Sequence, residues 1–280
     1  MTVYEAPAKL NLSLLVSPPR SDGYHPLASL VQTIQWCDRL EVRSGEGRDE
    51  LDSEIEDNLV SRALAIAREF GSVPPLAVSL MKEIPVAAGL GGGSSDAAAA
   101  LLAASDFGDV PGESLPAAAS RVGADVSLFL KGGTVMMGGV GETIEASRPA
   151  ENFAFAVVVP EFGLSTKEVY GRWDRLEGPE GDPVPDGLLP PSLRGRTPMR
   201  NDLLPAALDI EPLLGDFIAD VSAVWGTTVC LTGSGSACFG YFSTLDEASD
   251  AASAVSGLIR EGRGVELRER GVAMASPKTP

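Results

Sequence analysis

Five lysines serve the whole chain, and one of them, Lys9, stands among apolar residues in Ala6-Pro7-Ala8-Lys9-Leu10-Asn11-Leu12. Asn11 follows at a spacing of two, so a strand places the cation and the amide on one face. Such a face makes a polar site; the plainer fate of a strand lysine is to snorkel from the strand end. Asp125 stands out in a similar way, in Gly123-Ala124-Asp125-Val126-Ser127-Leu128-Phe129-Leu130. A carboxylate beside so apolar a run is costly to bury unless it is paired. It reads either as a helix N-cap or as a carboxylate held beside a cation, placed to take a proton from an alcohol.

Ile84-Pro85-Val86-Ala87-Ala88-Gly89-Leu90-Gly91-Gly92-Gly93-Ser94-Ser95 leads into an alanine-rich apolar stretch over 96–104. Bare backbone N–H groups at a helix start form an anion site, and the helix dipole adds a favourable field. The two serines can donate further bonds or touch a metal. No Gly-Lys-Ser/Thr follows, so this is not a Walker A loop. The glycines are bunched and no acidic residue closes a βαβ unit, so it is a poor dinucleotide fingerprint. A flexible turn before a core helix is the bland alternative; three adjacent glycines and two serines favour phosphate. Thr232-Gly233-Ser234-Gly235-Ser236 is a second glycine loop, readable alone as a wide hairpin. Two such loops in one chain point to one shared polyphosphate.

The only histidine, His25, lies in the turn Asp22-Gly23-Tyr24-His25-Pro26. A lone histidine in a turn is usually plain surface. Here a planar ligand has Tyr24 to stack on and His25 to bond. One histidine excludes a multi-histidine metal site, and a Ser-His-Asp triad would have to use this residue. Cys37, Cys230 and Cys238 form no CxxC pair, which argues against structural zinc and fits a reducing compartment.

These groups need a scaffold, and the composition supplies one. The chain has 280 residues, 44% hydrophobic, enough for one large domain or two ordinary ones. Its net charge of −17 argues against a nucleic-acid surface. It leaves room for a small phosphorylated substrate held by a few local cations. No run reaches the roughly 18 apolar residues of a membrane span. The opening Met1-Thr2-Val3-Tyr4-Glu5 lacks the basic start and apolar stretch of a secretory leader, so a cytoplasmic protein is expected. Strands are expected at 3–6, 10–16, 28–34, 39–43 and 76–81, with an Asp57-Asn58 cap opening a helix through Phe70. Helices are expected from Asp96 to Ala104 and up to Arg121, with 124–130 in the core. Beyond residue 150 come a strand at 153–159 and a long exposed Pro/Gly loop at 177–199. Helices follow at 202–208, 212–224 and 245–258, strands at 229–231, 237–242 and 265–268, and a frayed tail from Ala273. This mixed order suggests α+β in two parts.

Taken in order, Pro7–Leu12, Pro85–Ser95 and Leu231–Ala237 resemble the GHMP kinase superfamily, which includes galactokinase, homoserine kinase and mevalonate kinase. Asp22–His25 with Lys9 and Asp125 resembles its branch acting on a cytidine diphosphate-linked methylerythritol. Asp57-Asn58-Leu59, Ser165-Thr166 to Tyr170 and Asn201-Asp202-Leu203 agree with that branch. The resemblance runs from about residue 4 to about residue 270 and leaves 177–199 unmatched. It implies a two-domain GHMP kinase fold of class α+β. Residues 1–150 would form a ribosomal-protein-S5-like domain for ATP and catalysis, and 151–280 a ferredoxin-like domain for substrate. It implies ATP and Mg²⁺ as cofactors, and transfer of phosphate to the 2-hydroxyl of the cytidyl compound in the non-mevalonate isoprenoid route.

Carried over position by position, Asp125 matches the catalytic base and Lys9 its cationic partner. Asn11 and Thr166 match groups near the methylerythritol, with Gly233 and Ser234 also on the substrate. Tyr24 and Tyr170 match the aromatics flanking cytosine, and His25 the group reading its edge. Asn58 and Leu59 match the adenine side. Gly89, Leu90, Gly91, Gly92, Gly93, Ser94 and Ser95 match the phosphate loop. Ser95 is a candidate metal ligand, and no second carboxylate announces itself. One departure is Ala87-Ala88, where relatives often carry further glycines. No nucleic-acid or membrane partner is implied, and a monomer or weak homodimer is expected. Another GHMP-type kinase, or a catalytically silent binding protein of the same fold, is the alternative reading.

Overall fold

The structure, a computed structural model, describes residues 1–53, 58–196 and 198–275. Twelve strands and eight helices form among them. The strands are β1 (Thr2–Asn11), β2 (Leu15–Val16), β3 (Leu27–Ser44), β4 (Glu50–Asp52), β5 (Leu76–Met81), β6 (Thr134–Gly138), β7 (Thr143–Ala146), β8 (Ala154–Val159), β9 (Cys230–Leu231), β10 (Cys238–Phe242), β11 (Glu261–Glu266) and β12 (Ala273–Met274). The helices are α1 (Leu59–Ala67), α2 (Gly92–Phe107), α3 (Leu115–Val122), α4 (Val126–Lys131), α5 (Thr166–Arg175), α6 (Leu204–Ile210), α7 (Leu213–Trp225) and α8 (Leu245–Ala254).

Eight strands make the first sheet, ordered β12-β1-β3-β5-β4, with β2 and β6 also on β3 and β7 on β6. The second sheet is β11-β8-β10-β9, its pairs all antiparallel. The class is α+β. β12 pairs with β1, so the chain returns at its end to the sheet where it began.

Two strands run longer than the sequence pattern predicts. β1 is continuous through Lys9, and β3 spans 18 residues where two short strands are expected. The register between them shifts at Pro7/Ala8: Pro7 faces Cys37 while Ala8 faces Ile34. The bulge lets β3 bend without ending.

α2 starts at Gly92, four residues before the expected Asp96. Its alanines and Leu101 are fully buried between the first sheet and the neighbouring helices. Small side chains let those neighbours approach closely. Asn58 caps α1 as expected, its side chain accepting from Val60 N–H at 2.9 Å; Asp57 lies outside the described residues.

Residues 177–199 correct the expectation of an exposed loop. Two single 3-10 turns, Asp186–Leu188 and Pro191–Leu193, bury Leu189 and Leu193, and Met199 is buried beside them. All three join the core around Leu10, Trp36 and Phe155. The tail from Ala273 is corrected in its first residues, which form β12; residues 276–280 lie outside the described residues.

Candidate active site

A cleft of about 970 Å³ gathers residues from both halves of the chain. Lys9, Asn11, Tyr24, His25, Asn58, Leu59, Asp125, Thr166, Tyr170, Gly233 and Ser234 line it, with Gly89 through Ser94. Ser95 alone of the expected residues does not; it is fully buried, and its Oγ has no hydrogen-bond partner.

The two glycine loops meet backbone to backbone. Ala237 N–H donates to the Ala88 carbonyl at 3.1 Å. Gly89 has φ +78°, and a Cβ there would stand 2.7 Å from the Thr232 carbonyl oxygen. Gly91, at φ +75°, is the N-cap of α2, and a Cβ on it would stand 2.8 Å from Phe129 Cζ. Only glycine fits either position. The departure at Ala87 has a visible cost: its φ is +57°, a left-handed conformation that glycine adopts more freely.

Lys9 sits below these loops, its backbone N–H bonded to the Leu90 carbonyl at 3.0 Å. Its ammonium is buried and donates to Asn11 Oδ1. Burial holds its pKa below the usual lysine value, and the Asp125 charge works in the opposite direction. Asp125 occupies the N-cap position of α4, yet its carboxylate caps no N–H there. The capping role that the sequence left open is not taken up. Burial, and then the Asp125 charge, pushes the Tyr170 hydroxyl up to about 12.

The outer end of the cleft is aromatic. His25 packs on Tyr170 with ring centroids 5.2 Å apart and on the edge of Trp173 at 5.4 Å. Its Nδ1–H donates to the Ser17 carbonyl at 3.1 Å, and its Nε2 faces Asp174 Oδ2 at 3.4 Å. Tyr24 stands 64% exposed at the rim, an open platform for a ring.

Sequence reasoning missed a buried charge cluster beneath the phosphate loop. Lys82 Nζ donates to Asp38 Oδ2, and to Asp96 Oδ2 at 2.6 Å. A Cβ on Gly92 would stand 3.2 Å from Lys82 Nζ, so the cluster lies directly under the loop. Burial pushes the Asp96 carboxyl up to about 7, against the pull of Lys82 and with a further push from Asp38. Burial opposes the Lys82 charge, but Asp96 and Asp38 outweigh it and keep its pKa above the usual. The available signal was the rarity of lysine and the position of Lys82 just ahead of Ile84-Pro85. The sequence assigns no role to Asn201. Its Nδ2 donates to the Leu231 and Gly233 carbonyls at 3.0 and 2.8 Å and holds the second glycine loop.

Such a site joins an anion cradle, a buried cation and an uncommitted carboxylate, the parts needed to bring a phosphoryl donor to an alcohol. Comparison with known proteins agrees. The GHMP kinases N terminal domain matches residues 58–133. A 4-diphosphocytidyl-2-C-methyl-D-erythritol kinase of Granulibacter bethesdensis is 38% identical over 265 residues, 88% of this chain and 87% of the relative. One from Nocardioides sp. is 36% identical over 274 residues, 90% and 92% of the two chains. A crystal structure of 4-(cytidine 5'-diphospho)-2C-methyl-D-erythritol kinase superposes with a TM-score of 0.78 at 34% identity, across 94% of this chain and 98% of that one. A mevalonate kinase at 14% identity, TM-score 0.65, shares the fold across 95% of this chain and 99% of its own.

Proposed function

This chain belongs to the 4-diphosphocytidyl-2-C-methyl-D-erythritol kinase family, and we propose that it moves the γ-phosphate of ATP to the 2-hydroxyl of that cytidyl alcohol. It is an ATP-dependent small-molecule kinase with a GHMP fold, serving isoprenoid precursor synthesis. The observation that carries the reading is the uncommitted Asp125 carboxylate, sharing a cleft and a field with the buried Lys9 ammonium.

In this reading Asp125 accepts the proton of the attacking hydroxyl, and Lys9 offsets the charge that develops around it. Asn11, Thr166, Gly233 and Ser234 orient the methylerythritol. Tyr24 and Tyr170 flank cytosine, and His25 addresses its edge. Asn58 and Leu59 take the adenine side, while the N–H groups of residues 89–94 hold the phosphates; that of Ser95 is already given to the Gly91 carbonyl. Residues 1–150 carry ATP and the catalytic groups, and 151–280 supply α5 and the second glycine loop to the substrate.

Mg²⁺ fits this donor set. The Ser94 hydroxyl is a hard oxygen ligand in the cleft lining, Ser95 is buried away from that lining and falls out of the donor set, and most of the coordination would come from ATP oxygens. When bound, the ion neutralises charge on the β,γ-phosphates. Three reduced cysteines suit a cytoplasmic setting, and among the described residues no helix is long and apolar enough to cross a membrane.

The test is a phosphorylation assay offering the cytidyl alcohol, mevalonate and homoserine. Turnover of the cytidyl alcohol alone is the expected result. Comparable turnover of the others would leave only the fold assignment standing.

A further inference from the structure

Lys9 is held by a chain of hydrogen bonds that runs back from the cleft into the first sheet. The Lys9 ammonium donates to Asn11 Oδ1. Asn11 Nδ2 donates to Ser29 Oγ at 2.8 Å, and Ser29 Oγ donates to the Ser13 carbonyl oxygen at 2.5 Å. All three side chains are buried, Ser29 completely. A carbonyl oxygen only accepts, so the single hydrogen of Ser29 is committed to Ser13. Ser29 Oγ is left as an acceptor, and the Asn11 amide must turn its NH₂ toward it. The amide oxygen then faces Lys9. Turned the other way, the NH₂ would meet an ammonium and the oxygen would meet a hydroxyl with no hydrogen to give. Both mismatches would be buried, where unmade hydrogen bonds cost most.

We propose that Ser29, on β3, is a positioning residue for phosphoryl transfer: it sets the Asn11 amide so that Lys9 is held where Asp125 and the reacting hydroxyl meet. The idea rests on the kinase reading above for its catalytic consequence. Its electrostatic consequence stands without it. The Asn11 oxygen stabilises the charged form of a buried lysine, and Asp125 is the charged group acting on Lys9 among the described residues. Without Ser29 the amide is free to turn, and Lys9 loses an acceptor. It then sheds its proton at lower pH, and the alkaline limb of kcat moves down with it.

Ser29→Ala should lower kcat about tenfold, with KM for ATP unchanged and the alkaline limb displaced to lower pH. Asn11→Asp supplies an oxygen to Lys9 whichever way the side chain turns. In that background Ser29→Ala should no longer move the Lys9 titration, a coupling that a purely structural loss would not show. If Ser29→Ala fails to fold, the isosteric pair Ser29→Thr and Ser29→Val makes the same comparison, with only the threonine keeping activity. The Lys9 Nζ titration, followed by NMR in the ligand-free protein, should shift down in Ser29→Ala whatever substrate the enzyme prefers. Failure of the wild type to phosphorylate the cytidyl alcohol would count against the proposed function and leave that titration to decide on Ser29. An unmoved titration and kcat within about twofold of wild type would overturn the proposal, as would an equal titration shift in both Asn11 backgrounds.

Discussion

The Thr166 hydroxyl lies 2.8 Å from the Ser234 hydroxyl, so the first residue of α5 meets the second glycine loop across the cleft. Tyr170 and Trp173 follow Thr166 on the same helical face, at spacings of four and seven. The hydroxyl contact ties to that loop the same helix that carries the aromatic wall against which His25 packs.

Asp125→Asn keeps the shape of the side chain and removes the proton acceptor. Turnover should fall by roughly 10²–10⁴ while ATP affinity holds, since the phosphate loop is untouched. Steady-state kinetics with calorimetric ATP titration checks both halves. Near wild-type turnover would remove Asp125 from the base role.

His25→Ala opens the aromatic end. KM for the cytidyl substrate should rise about tenfold or more, from lost stacking and an unpaired base edge. KM for ATP should stay put. Tyr170→Ala should cost more than Tyr24→Ala, because Tyr170 is packed against His25 while Tyr24 is largely exposed. A larger rise in ATP KM than in substrate KM would place these rings at the wrong nucleotide.

Gly91→Val should abolish measurable ATP binding, since its φ is +75° and its Cβ would strike Phe129. Gly92→Ala is the contrast. Gly92 is the first residue of α2, has no left-handed φ, and its Cβ would stand 3.2 Å from Asp38 Oδ2, Ile84 Cγ2 and Lys82 Nζ, so its loss should be the smaller of the two. Calorimetry on folded variants should rank the losses in that order; the reverse order would relocate the phosphate site.

Asp96 ties stability to pH. With its carboxyl raised from 3.8 to about 7, the folded chain keeps a proton that the unfolded chain has released between those values. Stability from this group therefore falls as pH rises through that window and levels off above it. Asp96→Asn should raise Tm by roughly 2 °C or more near pH ~8, with the gain fading toward pH ~4. An equal gain at both pH values, or a loss at the higher one, would show that the ionised form is not penalised.

The glycine loop and the place of Asp125 in the cleft were legible because their signals are local: glycines before an alanine run, and one charge beside an apolar stretch. The Lys82 cluster was not, because Asp38 lies 44 residues from Lys82 in sequence and no short motif spans that distance. Ser29 was invisible for a similar reason, since a serine in a strand looks like any half-buried position until Asn11 is folded against it. β11 was read only from Val265 because its glycines carry no pattern. Gly264 lets α8 approach, since a Cβ on it would stand 2.4 Å from Ser249 Oγ, and Gly262 makes room for Ile259, 2.7 Å from its would-be Cβ. The buried Leu189 and Leu193 were hidden by surrounding prolines, which mark turns without saying which face of a turn is covered.

The joint between the glycine loops pins one loop to the other. Parting the two glycine loops would break the Ala237–Ala88 backbone bond and unseat Gly89 from Thr232. On the proposed reading, that tie fixes the separation at which donor and acceptor meet. The turn that carries Tyr24 lies exposed at the rim. Where release limits the rate, substitutions in that turn set the tempo, while substitutions at the joint change whether the reaction occurs at all.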